Sequence, residues 1–359
     1  MGALTLEEKL ALHRAEKVNT LDHCLRGEWF LKRYSFFEGA SRIVRHHHTC
    51  FQEFTDSIEV PYVFDAQLIH LADFVERHTK RNRYILHQNE EIMKSVKNLP
   101  PEVVHPSVKD LFFAAAQREE FWLDLTLPRL YSLLLNYGPL RYAKVGLRDL
   151  EVIATLFRDL IDFRSPFTAT HSTGVAVTAT ALAKFFDFSK KEITLMKVAG
   201  YLHDIGKLTI PNSILEKKGP LSKKETAIIK SHTYYSYMII NSIKGLSLIA
   251  EWASYHHEKL DGSGYPFRCT VENLSLGARI MAVADIFTAL SEDRPYRKGM
   301  SKETIVTIME QFAQRGLLDK KIVSTLLTNY EPIYKTVQRK QEEIRTYYEK
   351  QRNALLLSP

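Results

Sequence analysis

Apolar residues along this chain recur every three or four positions, the period of a helix face rather than the two-residue alternation of a strand. Val175, Ala179, Leu182 and Phe186 fall on one such stripe, and Leu195, Ala199 and Leu202 form another that runs straight into His203. The spacing returns from Gly146 to Phe163, which predicts a long helix there. Between these stretches the Leu-rich run Leu130 to Leu135 gives way to Asn136-Tyr137-Gly138-Pro139, a cluster of turn-forming residues. The pattern predicts an all-α chain of two helical domains, residues 1–140 and 146–330. A helical tail follows over 331–359, where Val337, Ile344 and Tyr348 repeat among mixed charges as on a surface or pairing helix.

Composition narrows the class. The chain has 359 residues, 45% of them apolar and 25% charged, which suffices for a core in each domain and excludes disordered, collagenous or low-complexity proteins. Cys24, Cys50 and Cys269 are too few and too scattered for a disulfide framework or a thiolate cage, so a reducing cytoplasm is expected. The opening MGALTLEEKLALHR lacks the basic-then-apolar order of an export signal, and no uncharged apolar run reaches the roughly 18 residues of a membrane span. A net charge of +7 favours anionic partners. It is no nucleic-acid signature by itself, and no DNA partner is expected.

The histidines carry the chemistry. Nine of the fourteen precede the boundary, and five follow it: His171, His203, His232, His256 and His257. His203 and Asp204 stand in Leu202-His203-Asp204-Ile205-Gly206-Lys207. His256 and His257 open the segment that continues Glu258-Lys259-Leu260-Asp261-Gly262-Ser263-Gly264-Tyr265-Pro266. Asp285 interrupts the apolar run Ile280 to Phe287. A carboxylate on an apolar helix face has to be neutralised, paired or metal-bound, because an isolated buried charge is very costly. Imidazoles and carboxylates without thiolates suit iron, manganese or zinc and argue against a structural zinc site. Neighbours on a helix do not share a face, so His203-Asp204 and His256-His257 suit two ions, with Asp204 able to bridge them. Two metals roughly 3.5 to 4 Å apart clamp the attacking and leaving oxygens of a phosphoryl displacement. Taken singly, each element has a plainer reading. A lone His is usually packed or at the surface, Lys207 alone is a solvated cation, and Asp261-Gly262-Ser263-Gly264 alone is a turn. Their combination in one order is what those readings leave unexplained.

That order resembles the HD-GYP subgroup of the HD metal-dependent phosphohydrolases. The resemblance covers roughly residues 150–330 and rests on His203-Asp204 with Gly206-Lys207, His232, His256-His257-Glu258, Asp261-Gly262-Ser263-Gly264-Tyr265-Pro266, and Asp285 with Arg294-Pro295-Tyr296-Arg297. It implies a bacterial helical-bundle enzyme that hydrolyses a cyclic dinucleotide, chiefly cyclic di-GMP, to linear pGpG or GMP. It implies two divalent transition-metal ions, iron or manganese, held by His171, His203, Asp204, His232, His256, His257 and Asp285, with Asp204 bridging. Asp204 and Lys207 are the expected catalytic residues, Lys207 touching the scissile phosphate. Tyr265, Arg294 and Arg297 are expected to line the dinucleotide, where guanidinium groups grip phosphates by two-pronged hydrogen bonds. Two positions depart from the family pattern: Ser165 stands where an Asp is common six residues before the first His, and Thr233 where a Pro follows the third. Three-metal members carry a Glu four residues before the first ligand His. Here that position is Phe167, which leads to an expectation of two ions.

The first half carries an echo. Ala66 to Asp73 resembles Ala278 to Asp285, His46-His47 precedes His256-His257 by 210 residues, and His23 precedes His232 by 209. Nearly constant offsets suggest an internal duplication in which the counterparts of His171 and His203-Asp204 are missing. The first domain therefore resembles a degenerate HD domain. It is expected to bind no stoichiometric metal and to serve as scaffold, dimerisation surface (in a homodimer) or regulator. Two other functions compete with cyclic di-GMP hydrolysis: hydrolysis of another cyclic dinucleotide such as cyclic GMP-AMP, and a non-catalytic module that binds the ligand or a diguanylate cyclase (GGDEF) partner.

Overall fold

The computed structural model describes residues 20–126, 130–138, 144–164, 170–215, 217, 219–293 and 298–356. Among them are helices and no strand, the nearest approach being an isolated antiparallel bridge between Asp261 and Thr270. The all-α expectation holds. The chain divides into two compact units, residues 1–145 and 146–359. No helix among the described residues is long and apolar enough to cross a membrane.

The first unit contains α1 (Thr20–Lys32), α2 (Glu38–His46), α3 (Pro61–His78), α4 (Asn89–Lys97), α5 (Pro106–Ala116), α6 (Glu119–Leu125) and α7 (Leu130–Tyr137). Proline opens both α3 and α5, where its fixed φ suits the first turn and its missing N–H costs no helical hydrogen bond. Leu71, Val75, Ile92, Val96, Val108 and Trp122 close the core of this unit. Gln67, fully buried on α3, donates to the Thr49 carbonyl and accepts from the His105 N–H, both at 3.0 Å. It thereby fixes the turn after α2, where three histidines lie in succession.

The second unit contains α8 (Leu147–Arg164), α9 (His171–Phe185), α10 (Lys190–Leu202), α11 (Lys223–Asn241), α12 (Ser247–Ser254), α13 (Leu276–Ser291), α14 (Lys302–Gln314), α15 (Lys320–Thr328) and α16 (Tyr330–Leu356). Local sequence sets several starts. Ser189 with Glu192 and Ser222 with Glu225 form reciprocal capping boxes, and Ser275, Ser301 and Asp319 cap α13, α14 and α15. Helix α9 is the central element, packed against α8, α10, α13, α15 and α16. Its surface is therefore small and apolar nearly all round, with Ala176, Ala179, Leu182 and Ala183 buried.

Helix α16 begins one residue before the boundary expected for a tail, and its first turns are core. Tyr330, Ile333 and Val337 are buried in the second unit, as is Gln341. The sequence left Val337 on a surface or pairing helix because only one narrow stripe of this charged segment is apolar. That stripe is what packs on α9.

Candidate metal centre

Each expected ligand occupies a point where local structure fixes its direction. His171 is the first residue of α9, His203 caps the end of α10, and Asp204 precedes a short 3-10 turn over Ile205–Thr209. His232 lies within α11, His256 and His257 follow α12, and Asp285 lies on α13. The turn carrying His203 and Asp204 is pressed onto α11 at Gly206, where a Cβ would collide with the backbone of His232 and Ser236. Ser236 Oγ accepts from the Gly206 N–H at 2.9 Å and donates to the His203 carbonyl at 2.8 Å, tying the turn to the helix that bears His232.

The structure brings all seven residues together. Asp204 Oδ2 lies 3.2 Å from His203 Nε2, and its Oδ1 lies 3.3 Å from His232 Nε2. Asp285 divides in the same way, Oδ1 being 3.2 Å from His171 Nε2 and Oδ2 3.6 Å from His257 Nδ1. Three overlapping groups result: His171 with His203 and Asp285, His203 with Asp204 and His256, and His232 with His256 and His257. Within each, the ligating atoms lie within 4.8 Å of one another. Only His257 is appreciably exposed, its side chain at 30%, which marks the open side.

Hydrogen bonds choose the tautomers. The Nδ1 atoms of His203, His232 and His256 donate to the carbonyls of Gly200, Ile229 and Ala253, at 2.8, 2.6 and 2.6 Å. Each ring therefore turns an Nε2 lone pair inward, the arrangement that outer partners impose on metal-ligating histidines. His203 Nε2 and Asp204 Oδ1 are buried yet lack a partner with hydrogen-bond geometry. Unsatisfied buried acceptors in one cluster are costly, and bound cations would satisfy them. The donor set of imidazole nitrogens and carboxylate oxygens, with no sulfur, fits divalent iron, manganese or zinc.

The electrostatics agree. Burial lowers the pKa of His256 well below its ordinary value and that of His257 to about 4, so both rings are neutral and able to ligate. Burial would raise Asp204 and Asp285, but His203 and Lys207 around the first and the hydrogen bond from His171 to the second hold both well below the usual carboxylate range. Burial would likewise lower His171, yet its hydrogen bonds to Asp285 and Glu292 raise it to about 10. That spot requires positive charge, met by a proton or by a metal ion.

Lys207 lies at the edge, one quarter exposed, with Nζ 2.5 Å from Asp204 Oδ2. The Tyr265 ring packs 4.9 Å from that of His257. Arg294 and Arg297 lie outside the described residues, as do Ser165 and Phe167, so the readings placed on them rest on sequence.

Two carboxylates have parts that their motifs did not reveal. Glu292 Oε2 accepts from His171 Nδ1 at 3.1 Å, while its Oε1 accepts from Thr170 Oγ1 at 2.7 Å and from Gln341 Nε2 at 3.4 Å. It therefore orients the first histidine and links it to α16. The available signal was spacing, since Glu292 follows Asp285 by seven residues, two turns along one face. Glu258, next to the His pair, is buried with both oxygens committed, Oε1 to the Phe267 N–H at 2.7 Å and Oε2 to the Cys269 N–H at 3.0 Å. It holds the loop carrying Tyr265, and that loop passes so close that a Cβ on Gly264 would collide with the backbone of Glu258 and Lys259.

Comparison with known proteins agrees with this geometry. Residues 155–322 match the HD domain family. The chain is 29% identical over 332 residues to the 3′3′-cGAMP-specific phosphodiesterase 1 of Vibrio cholerae, covering 90% of this chain and 77% of that protein. It is 34% identical over 183 residues to the cyclic di-GMP phosphodiesterase response regulator RpfG of Xanthomonas campestris, covering 50% of this chain and 48% of that one. It also spans about half the length of further relatives. The crystal structure of a cyclic GMP-AMP specific phosphodiesterase of V. cholerae, V-cGAP3, superposes with a TM-score of 0.56 at 23% identity, over 89% of this chain and 72% of that one, and so shares its fold. Residues 155–322 thus carry an HD domain, and the chain is similar to HD-domain phosphodiesterases over most of its length.

Proposed function

We propose that the second unit hydrolyses a phosphodiester bond of a cyclic dinucleotide at two divalent metal ions, iron or manganese. The observation that carries this is Asp204, whose two oxygens face different histidines while its neighbours present inward lone pairs. By this reading His171, His203 and Asp285 hold one ion, His232, His256 and His257 hold the other, and Asp204 stands between them. Such a pair supplies Lewis-acid polarisation of the phosphoryl oxygens and activation of water.

The chain's own groups do the rest. The Lys207 ammonium, at the rim and paired with Asp204, offers a cation to a phosphate arriving from the open side. Tyr265, tilted against His257, offers an aromatic face to the base or sugar. Arg294 and Arg297 are assigned to the dinucleotide phosphates on their place in the motif. Replacing Lys207 by alanine should leave the metals in place and lower kcat about 10²- to 10³-fold, the usual scale for one charge-stabilising group. An unchanged rate would return Lys207 to the role of a solvated cation. Glu292→Gln should weaken metal binding by about 10- to 100-fold, as removal of outer partners does. Chelator competition measures this, and an unaltered affinity would limit Glu292 to holding α16.

For the substrate we propose 3′3′-cGAMP ahead of cyclic di-GMP. The support is coverage, since the relative that matches 90% of the chain is specific for 3′3′-cGAMP, whereas RpfG matches half. A module that only binds a diguanylate cyclase would have no use for Lys207 beside the bridging position. The test is hydrolysis of a panel of cyclic dinucleotides by iron- or manganese-loaded protein, with products identified as linear dinucleotide or mononucleotide. Turnover of 3′3′-cGAMP well above the others is expected. Faster turnover of cyclic di-GMP would reverse the substrate order, and no turnover of any by fully loaded protein would overturn the enzymatic reading.

A further inference from the structure

The first unit repeats half of this centre. His23, His47 and His48 precede His232, His256 and His257 by 209 residues each. The pair involved is thus His47-His48 and not His46-His47, because the His46 ring turns instead to Phe54, Tyr62 and the Thr49 hydroxyl. Their geometry repeats as well. The rings of His23 and His48 are 5.4 Å apart, as are those of His232 and His257, and the adjacent pair is separated by 4.0 Å in one unit and 4.2 Å in the other. His47 Nδ1 donates to the carbonyl three residues back, that of Val44, at 2.5 Å, as His256 does to Ala253 at 2.6 Å. His48 Nδ1 lies 3.8 Å from Asp73 Oδ2, and His257 Nδ1 lies 3.6 Å from Asp285 Oδ2.

We propose that His23, His47 and His48 form a separate mononuclear site in the first unit, one that takes a single divalent transition ion of the zinc or ferrous kind. The ligating nitrogens lie within 4.8 Å of one another. With Nδ1 of His47 committed to Val44, its Nε2 lone pair faces His23 Nε2 at 2.9 Å. Two lone pairs so close repel unless a proton or a metal ion joins them, and His23 Nδ1 is also buried without a partner. An all-imidazole set suits zinc or ferrous iron better than manganese or magnesium. Asp73 is held by Arg77 at 2.9 Å and orients His48 from outside. Among the described residues of this unit no carboxylate joins the three histidines in the place of Asp204, so one ion is expected and not two. The proposal runs against the expectation of a metal-free first domain, which rested on the missing counterparts of His171 and His203-Asp204.

The test uses the full chain, stripped of metal and reconstituted with zinc. A zinc-edge anomalous map of crystals of the wild-type chain should show a peak bounded by His23, His47 and His48. By elemental analysis after desalting, His48→Ala and the more conservative His23→Gln should each hold about one zinc per chain fewer than wild type. No anomalous density at that position in crystals with saturating zinc, or equal zinc content in wild type and in a folded variant, would overturn the proposal. Peaks are assigned by position, so density missing around Asp204 would instead count against the reading of the second unit. If both variants fail to fold, the wild-type map alone decides.

Discussion

Asp204→Ala is expected to abolish hydrolysis, by more than about 10³-fold, and to strip metal from the second unit while the helices persist. The loss should exceed the 10- to 100-fold typical of an outer partner, because both Asp204 oxygens serve the cluster, one facing His203 and Lys207 and the other facing His232. Persistence of the fold follows from the surroundings: Asp204 packs among imidazoles and a lysine, not within the apolar core around Phe287 and Met281. Asp204→Asn serves as the volume-conserving control, keeping an acceptor for Lys207 but losing the charge. Activity, metal content and far-UV circular dichroism should be measured on the same preparations. Substantial turnover by a variant that retains two metals would sink the bridging role of Asp204.

Glu258→Ala is expected to damage stability and loop geometry before it touches the metals. Two backbone N–H groups, of Phe267 and Cys269, would lose their acceptor. Both hydrogen bonds are only part-buried, so at about 0.5 to 1.5 kcal/mol net for each the cost is about 1 to 3 kcal/mol, a sizeable share of the stability of an ordinary domain. The segment from Asp261 to Thr270 should become sensitive to limited proteolysis, and activity should fall because Tyr265 is no longer held beside His257. Glu258→Gln keeps one carbonyl acceptor and should lose less. Urea unfolding followed alongside metal content separates the roles. Loss of an ion at unchanged stability would make Glu258 a ligand, contrary to the commitment of both its oxygens.

The two units teach different lessons about adjacent histidines. In the second, His256-His257 lies next to a glycine-rich segment whose motif assigns both residues. In the first, three successive histidines, His46 to His48, leave the register open by one, and nothing in composition or spacing along a single helix closes it. What closes it is packing. Gln67 clamps the Thr49 carbonyl, and the His46 ring finds Phe54 and Tyr62, leaving His47 and His48 for the cluster.

The sequence by itself determined that the chain is helical; the domain boundary is an expectation from a turn-forming cluster, and the seven ligands are an expectation from the resemblance to a family motif. A 3.6-residue apolar period is a local property, and carboxylates amid apolar runs can be read as charges needing a partner without knowing the fold. Tertiary structure decided what depends on distance between segments. Glu292 became the orienter of His171 because the end of α13 meets the start of α9, and Glu258 became a loop clamp because Phe267 and Cys269 fold back over it. The first turns of α16 became core because α9 needed a last covering, although so charged a segment reads as surface. Hydrogen bonds and burial belong to pairs of residues that the chain brings together, so they appear in a sequence only where a motif has already recorded the pairing.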